Sequence, residues 1–295
     1  MRGRFAPSPT GPLHVGNLRT ALASWLQVQA LGGEWLVRME DLDRVTSSRE
    51  LGADQLASLA ALGMRPDGEV VWQSERFDRY RDAISDLRAA GRVYECFCSR
   101  REIREAAQAP HDIDGAYPGT CRELSTARRQ EHLDAGRRPA LRLRTDGERF
   151  TFTDLCADEY EGGVDDVVLQ RNDGVPAYNL AVVVDDAAQG ITHVVRGDDL
   201  LSSTPRQLLL QQLLHLDHPQ YAHVPLVVAP DGARLAKRHG AVTLADLEPL
   251  GCSPAHVRAA LLASLGVVDE HQFSFDTVPR EPWVFDPMSL ARGRA

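Results

Sequence analysis

Of the 33 cationic side chains in this sequence, a single one, Lys237, is lysine; the rest are arginine. A composition with that bias uses arginine wherever a generic positive charge is enough. A retained lysine therefore marks a position where shape matters. The ammonium is a compact point charge, whereas the guanidinium is a wide planar fork. Reaching one phosphate oxygen through a narrow gap favours the ammonium. Lys237, in "RLAKRHG", is accordingly a candidate for stabilising charge during displacement at phosphorus. The plain alternative is a solvated basic loop. A second segment, "APSPTGPLHVGN", brings His14 to the start of a helix. A helix N-terminus offers free N–H groups and a positive dipole end, which suit a phosphate. Gly11 and Gly16 would let backbone approach a ligand closely, and His14 could donate to a phosphate oxygen. The alternative is a surface histidine in a strand–helix loop. The third constellation is Cys96-x-Cys98, then 18 residues, then Tyr117-x3-Cys121. Three cysteines at this spacing suggest tetrahedral zinc, which needs a fourth ligand. Spacing alone leaves His111, Asp112, Asp114 and Tyr117 open, with three free thiols as the alternative to a metal site.

The elements that must position these groups follow from patterning. "RGRFAPSP" reads as a short strand entering a proline-rich turn. "GNLRTALASWLQVQALGG" has helical apolar spacing, with Asn17 as its expected cap and Gly32-Gly33 as its stop. "EWLVRMED" is a strand, "SSRELGADQLASLAALG" a helix, "VVWQS" a short strand and "RFDRYRDAISDLRAAG" a helix. This alternation predicts an α/β fold with a Rossmann-like, doubly wound parallel sheet. The pattern breaks at 93–150, where "YECFCSR", a helical patch, a loop and the runs "ALRLRT" and "RFTFTDL" read as an insertion. It resumes with "DVVLQRNDGVPAYNLAVVVDD", "THVVRGDDL", a leucine-rich helix at 205–214 and the strand "AHVPLVVA". The expected organisation is thus 1–92 and 151–245 as two halves of one domain, 93–150 as a cysteine-bearing insertion, and 246–295 as a short helical C-terminal region.

Bulk properties narrow the classes. A chain of 295 residues with 43% hydrophobic and 25% charged residues is ordinary for a globular protein. The N-terminus has no apolar signal core and no apolar run approaches membrane-spanning length, so the expectation is a cytoplasmic protein with no membrane partner. Five cysteines in that compartment are not expected to form a disulfide framework. Cys156 and Cys252 lack partners in the pattern and read as buried small hydrophobes. The net charge of −9 argues against a nucleic-acid partner taken alone. Yet residues 92–149 hold more arginine than acid, and a local basic surface can serve a polyanion.

Taken together, the segments carry a specific resemblance. "HVGN" and "RLAKR" resemble the HIGH and KMSKS signatures of class I aminoacyl-tRNA synthetases. "RFAPSPTGPLHVGNLRTAL", "LVRMEDLDR", "AYNLAVVVDD" and "VVRGDDLLSSTPRQ" are similar to the glutamyl branch of that class, over nearly all of residues 1–245. Departures are Asn17 for the second histidine of HIGH, and Arg234 and Ala236 for the first lysine and first serine of KMSKS. The resemblance implies that His14, Gly16, Asn17 and Lys237 bind ATP with Mg, with His14, Asn17 and Lys237 catalytic. It implies recognition of the side-chain carboxylate of L-glutamate by Arg4 and Arg196 with Tyr178, and of its ammonium by Glu40. Phe5, Ala6, Pro7 and Ser8 would complete the shell. The competing expectation for Arg196 and Glu40 is a structural salt bridge. The resemblance also points to Tyr117 as fourth ligand of one structural zinc, with Cys96, Cys98 and Cys121.

Only 58 residues follow Lys237, too few for the large helical anticodon-binding region of full-length glutamyl-tRNA synthetases. That shortness resembles the truncated paralogues, the glutamyl-Q tRNA(Asp) synthetases. They imply glutamate activation without tRNA and transfer to queuosine in the anticodon loop of tRNA(Asp), where a single-stranded base can be splayed out. Arg100, Arg101, Arg104, Arg128, Arg129, Arg137 and Arg138 are the candidate phosphate contacts. The alternatives are charging of a tRNA 3′ end, a same-fold nucleotidyltransferase that never meets RNA, and a synthetase-like module without catalysis.

Overall fold

A computed structural model describes residues 1–99, 101–103, 117–235 and 242–293. The chain begins with β1 (Arg2–Phe5), whose burial delivers the following "APSP" turn to the end of the sheet. Helix α1 (Val15–Ala30) follows and stops at Gly32, whose positive φ of 60° glycine adopts readily. Next come β2 (Glu34–Met39), α2 (Arg49–Ala61, capped by Ser48), β3 (Val71–Trp72) and α3 (Phe77–Ala89). Then β4 (Val93–Cys96), α4 (Thr126–Asp134), β5 (Ala140–Leu143), β6 (Arg149–Asp154), β7 (Asp158–Gly163) and β8 (Val168–Gln170) form the middle of the chain. After them run α5 (Tyr178–Ala188), β9 (His193–Gly197), α6 (Thr204–Leu213), β10 (Gln220–Val224) and β11 (Val227–Val228). The last elements are α7 (Leu244–Leu247), α8 (Pro254–Ser264), β12 (Trp283–Val284) and α9 (Pro287–Ala291).

The main sheet has the order β3-β2-β1-β9-β10-β6-β7, parallel throughout except for the edge hairpin β6–β7. From β1 the chain winds outward through β2 and β3, then returns on the other side as β9 and β10. The strand order therefore reverses between β1 and β9. In an open α/β sheet the crevice at such a switch point, outside the carboxyl ends of the strands, is where ligands bind. The doubly wound expectation holds because α1 buries Val15, Leu18, Leu22 and Leu26 against Trp35, Val37 and Met39 of β2 in one large core.

Three details differ from the sequence expectation. β4 and β5 form a separate antiparallel sheet that takes its third strand, β8, from 168–170, beyond the expected end of the insertion at 150. β6–β7 belongs instead to the main sheet, where β6 pairs with β10. Pairing partners distant in sequence, not local pattern, set these memberships. The C-terminal region is also more than helical: β12 pairs in parallel with β11, and Arg19 of α1 donates to the Ser264 carbonyl at 3.1 Å and the Pro225 carbonyl at 2.6 Å. Cys156 and Cys252 are buried at 3% and 2% exposure, as expected of small hydrophobes.

Candidate active site

The helix α1 is capped by His14, not by Asn17. His14 has extended backbone (φ −87°, ψ 167°), and its Nδ1 accepts from the amides of Gly16 (3.1 Å) and Asn17 (3.3 Å). Asn17 is the third helical residue, and its Oδ1 accepts from the His14 amide at 3.2 Å, closing a reciprocal capping box. The Val15 amide donates to the Val242 carbonyl (2.8 Å) and the Leu18 amide to the His14 carbonyl (3.0 Å). All four N-terminal amides are thus occupied, which corrects the expectation of free N–H groups for a phosphate. What remains is the dipole end and the far edge of the imidazole. Burial lowers the His14 pKa, so the ring is neutral at pH 7. With Nδ1 accepting, the proton sits on Nε2, which can donate to an anionic oxygen. Gly16 has a role different from ligand approach: a Cβ there would lie 2.9 Å from His14 Cε1. The glycine lets the cap ring fold back onto the helix. Gly11, by contrast, faces open space.

A cavity of about 590 Å³ opens at the switch point. It is lined by Arg4, Phe5, Ala6, Pro7 and Ser8 from the end of β1, by His14, Gly16 and Asn17 at the start of α1, and by Glu40, Tyr178 and Arg196. Every expected residue of the glutamate shell and of the HIGH-like segment therefore borders one space. Arg234 and Leu235 border it too, and Val242 is bonded to Val15, so one described flank of the lysine loop borders the cavity and the other adjoins the start of α1. Lys237 lies outside the described residues.

Charge pairing around the cavity is uneven. Arg4 is buried against Asp186 in two hydrogen bonds of 3.2 and 3.3 Å. Arg38, fully buried, donates to Asp186 at 2.7 Å and to Glu40 at 3.2 Å, with Asp185 3.8 Å away. Asp185 also accepts from Arg76 (2.5 Å), Tyr80 (2.7 Å) and Gln73 (2.9 Å). Three cations, Arg4, Arg38 and Arg76, thus meet three anions, Glu40, Asp185 and Asp186. Glu40 is in the structural salt bridge that the plain reading expects, yet it borders the cavity, and burial pushes its carboxyl up against the opposing pull of Arg38 and Arg4. An ammonium ligand would favour the ionised form. Arg196 differs from the others. It is 5% exposed, and its three described partners are neutral: His223 Nε2 (2.9 Å), Gln207 Oε1 (2.8 Å) and Thr204 Oγ1 (2.9 Å). A buried guanidinium without a contacting carboxylate is costly unless a ligand supplies one.

The cysteine cluster lies at the end of β4. The Sγ atoms of Cys96, Cys98 and Cys121 fall within 4.8 Å of one another. The Tyr117 hydroxyl lies 3.3 Å from Cys96 Sγ and 3.5 Å from Cys98 Sγ, and accepts from the Cys121 amide at 2.9 Å. The Arg142 guanidinium covers the Tyr117 ring at 3.7 Å. Hydrogen bonding from Cys121, against the effect of burial and with help from Tyr117 and Arg142, holds the Cys96 thiol down at about 4. Three sulfurs around a tetrahedral zinc would be about 3.8 Å apart, so this donor set fits such an ion. His111, Asp112 and Asp114 lie outside the described residues.

The arginines proposed for RNA contacts are partly engaged. Arg128 pairs with Glu131 (2.8 Å), Arg129 with Glu95 (2.5 Å) and Arg137 with Glu102 (3.0 Å). Such exposed pairs are weak and exchange readily for phosphate. Arg137 and Arg138 line a second cavity of about 1200 Å³ beside the three-stranded sheet, which shares Ser8, Glu40 and Tyr178 with the first. Arg100 and Arg104 lie outside the described residues. Sequence reading missed Arg38, Asp186, Thr204 and Gln207, although all four stand inside the motif segments it quoted. It also missed His223. A histidine within the apolar strand "AHVPLVVA" was the available signal for it.

Comparison with known proteins identifies the family. A family model described as "tRNA synthetases class I (E and Q), catalytic domain" matches residues 1–275. A protein of Nocardia farcinica named Glutamyl-Q tRNA(Asp) synthetase is 58% identical over 98% of this chain and 94% of its own length. A Glutamate–tRNA ligase of Oleidesulfovibrio alaskensis is 43% identical, over 99% of this chain and 62% of its own length. The crystal structure of glutamate-tRNA synthetase from Elizabethkingia anophelis superposes with a TM-score of 0.85 at 26% identity, covering 100% of this chain and 69% of that one.

Proposed function

The chain belongs to the class I tRNA synthetases of the E and Q group, and from that premise we propose that it activates L-glutamate with ATP and transfers it to queuosine in the anticodon loop of tRNA(Asp). The observation that carries this reading is the 58% identity to a protein of that name along 94% of its length. Glutamate is seated with its side-chain carboxylate toward Arg196 and Arg4, beside Tyr178, and its ammonium toward Glu40. Phe5, Ala6, Pro7 and Ser8 form the surrounding wall. The α-carboxylate attacks the α-phosphorus of ATP, which enters with Mg along Gly16 and Asn17. His14 Nε2 and Lys237 stabilise the charge that develops on the phosphates, and pyrophosphate leaves. Glutamate activation needs no tRNA. Arg137 and Arg138 place the anticodon loop in the second cavity, so that a splayed base can reach the adenylate past Ser8, Glu40 and Tyr178. Residues 1–92 and 151–245 act as the catalytic unit, and 93–150 carries the metal and RNA-facing surface. The protein works in the cytoplasm. Among the described residues, no helix is long and apolar enough to cross a membrane.

The experiment that tests the acceptor uses isolated anticodon stem-loops, which have no 3′ acceptor end. A queuosine-bearing stem-loop of tRNA(Asp) should accept labelled glutamate and an unmodified one should not. Label found only on the 3′ adenosine of intact tRNA would reassign the protein to ordinary tRNA charging.

Cys96, Cys98, Cys121 and Tyr117 would hold one zinc, which supplies structural cross-linking only, since four protein ligands leave no open position. Metal analysis should find close to one zinc per chain. Cys121→Ser should lose it and destabilise the small sheet more than the main core. Tyr117→Phe should weaken binding; unchanged zinc in that variant would point to another fourth ligand.

A further inference from the structure

The geometry points to His223 and Asp154 as positioning residues that set the substrate-facing state of Arg196, a role resting on the glutamate pocket proposed above. Both side chains are fully buried and lie behind Arg196. The direction of each hydrogen bond is decided by chemistry. Arginine only donates, so His223 Nε2, 2.9 Å from Arg196 Nε, must accept. The neutral ring then carries its proton on Nδ1, which faces Asp154 Oδ2 at 2.5 Å. The other carboxylate oxygen accepts from the amides of His223 (3.0 Å), Cys156 (2.9 Å) and Ala157 (2.9 Å). A carboxylate with four N–H donors is stabilised as the anion. Thr204 Oγ1, 3.2 Å from His223 Nε2, can donate its own proton there while accepting from Arg196.

The result is a buried anion held one imidazole ring away from a buried cation. The interposed ring matters. Asp186 contacts Arg4 directly and consumes two of its donors together with its charge. Asp154 offsets the burial of Arg196 from a distance and leaves it without a contacting carboxylate among the described residues. Three of the five guanidinium N–H groups of Arg196 are used by His223, Gln207 and Thr204. One N–H on each terminal nitrogen stays uncommitted among the described residues. Two uncommitted donors on a cavity-lining guanidinium can be met by the two oxygens of a carboxylate, and a neutral amide cannot replace both acceptors. In this arrangement His223 and Asp154 set selectivity for glutamate without touching it.

Asp154→Asn is the sharpest test. Its retained oxygen can keep the three backbone donors. The amide nitrogen then faces His223 Nδ1 and forces the proton onto Nε2, where it opposes Arg196 Nε–H; the same exchange of tautomer is described for the aspartate of serine protease triads. In glutamate-dependent pyrophosphate exchange, KM for glutamate should rise about 10- to 100-fold, the worth of one hydrogen bond to a charged group. KM for ATP should stay unchanged, kcat should change less, and preference over glutamine should fall. A loss in which glutamate and ATP constants move together would mark a purely structural role and overturn the proposal. Nitrogen NMR of histidine-labelled wild-type protein provides a reading independent of how Asp154→Asn folds. His223, assigned by its absence in His223→Asn or His223→Gln, should be the Nδ1–H tautomer at pH 7. An Nε2–H tautomer or a cation would overturn the relay. Wild-type exchange with unaltered glutamate KM in Asp154→Asn rejects the relay alone; wild-type protein without glutamate-dependent exchange rejects the pocket itself.

Discussion

Arg196→Met is expected to lower glutamate-dependent pyrophosphate exchange by about 100-fold or more, the loss that follows when one partner of a buried, hydrogen-bonded charge pair is removed. The same substitution should destabilise the unliganded protein less than breaking a buried ion pair does, since three buried neutral acceptors lose a donor but no contacting carboxylate does. The two halves of this expectation have one cause. Among the described residues the hydrogen-bond partners of the guanidinium are His223, Gln207 and Thr204, so no described carboxylate in direct contact is orphaned when it goes. Only the complex with a substrate carboxylate loses an ion pair. Arg196→Lys should fall between the two, because one ammonium cannot reproduce paired donors. Arg38→Met makes the contrasting control. It would leave Glu40, Asp185 and Asp186 to Arg4 and Arg76, and breaking such a buried network costs about 3–5 kcal/mol. Exchange assays beside thermal unfolding separate the cases: a large loss of stability in Arg196→Met would mean that this arginine is structural, as Arg38 is.

Lys237→Ala should reduce exchange by ~100-fold or more, comparable to removing one preorganised donor from a developing oxyanion. The loss should fall on kcat more than on KM for ATP, since an interaction made chiefly in the transition state lowers kcat and kcat/KM together. Lys237→Arg should also be impaired, because a planar fork does not fit where a compact charge does. The setting supports this. Leu235 borders the cavity on one side of the loop, while Val242 and Thr243 on the other adjoin Val15 and His14 at the start of α1. A fully active Lys237→Arg enzyme would remove the reason for a lone lysine in a chain otherwise built with arginine.

Sequence alone determined which chemistry is present and roughly where each element lies. Strands β1, β2 and β9 and helices α1, α2 and α3 are legible because short apolar runs bounded by turn residues mark strands buried on both faces, longer runs at helical spacing mark helices, and both are local properties. The grouping of Arg4, His14, Glu40, Tyr178 and Arg196 was legible only through resemblance, since their separations carry no pattern of their own. The cap of α1 was misplaced by three residues because asparagine is an ordinary cap and histidine an unusual one. Only the folded chain shows that Asn17 reaches back to the His14 amide and that the first turn has no amide to spare.

Tertiary structure alone decided how the charges are shared. Arg4 and Asp186 are 182 residues apart, and Arg38 and Asp186 are 148 apart. Sequence reading singled out Arg4, Arg196 and Glu40 but neither Arg38 nor Asp186, and not the pairings, which depend on β1, β2 and the end of α5 coming together in the fold. That meeting neutralises Arg4 and Arg38 and leaves Arg196 with an imidazole, an amide and a hydroxyl. The physical reason is that an ion pair is a relation between positions in space, whereas a sequence specifies only the types of residue available to form one.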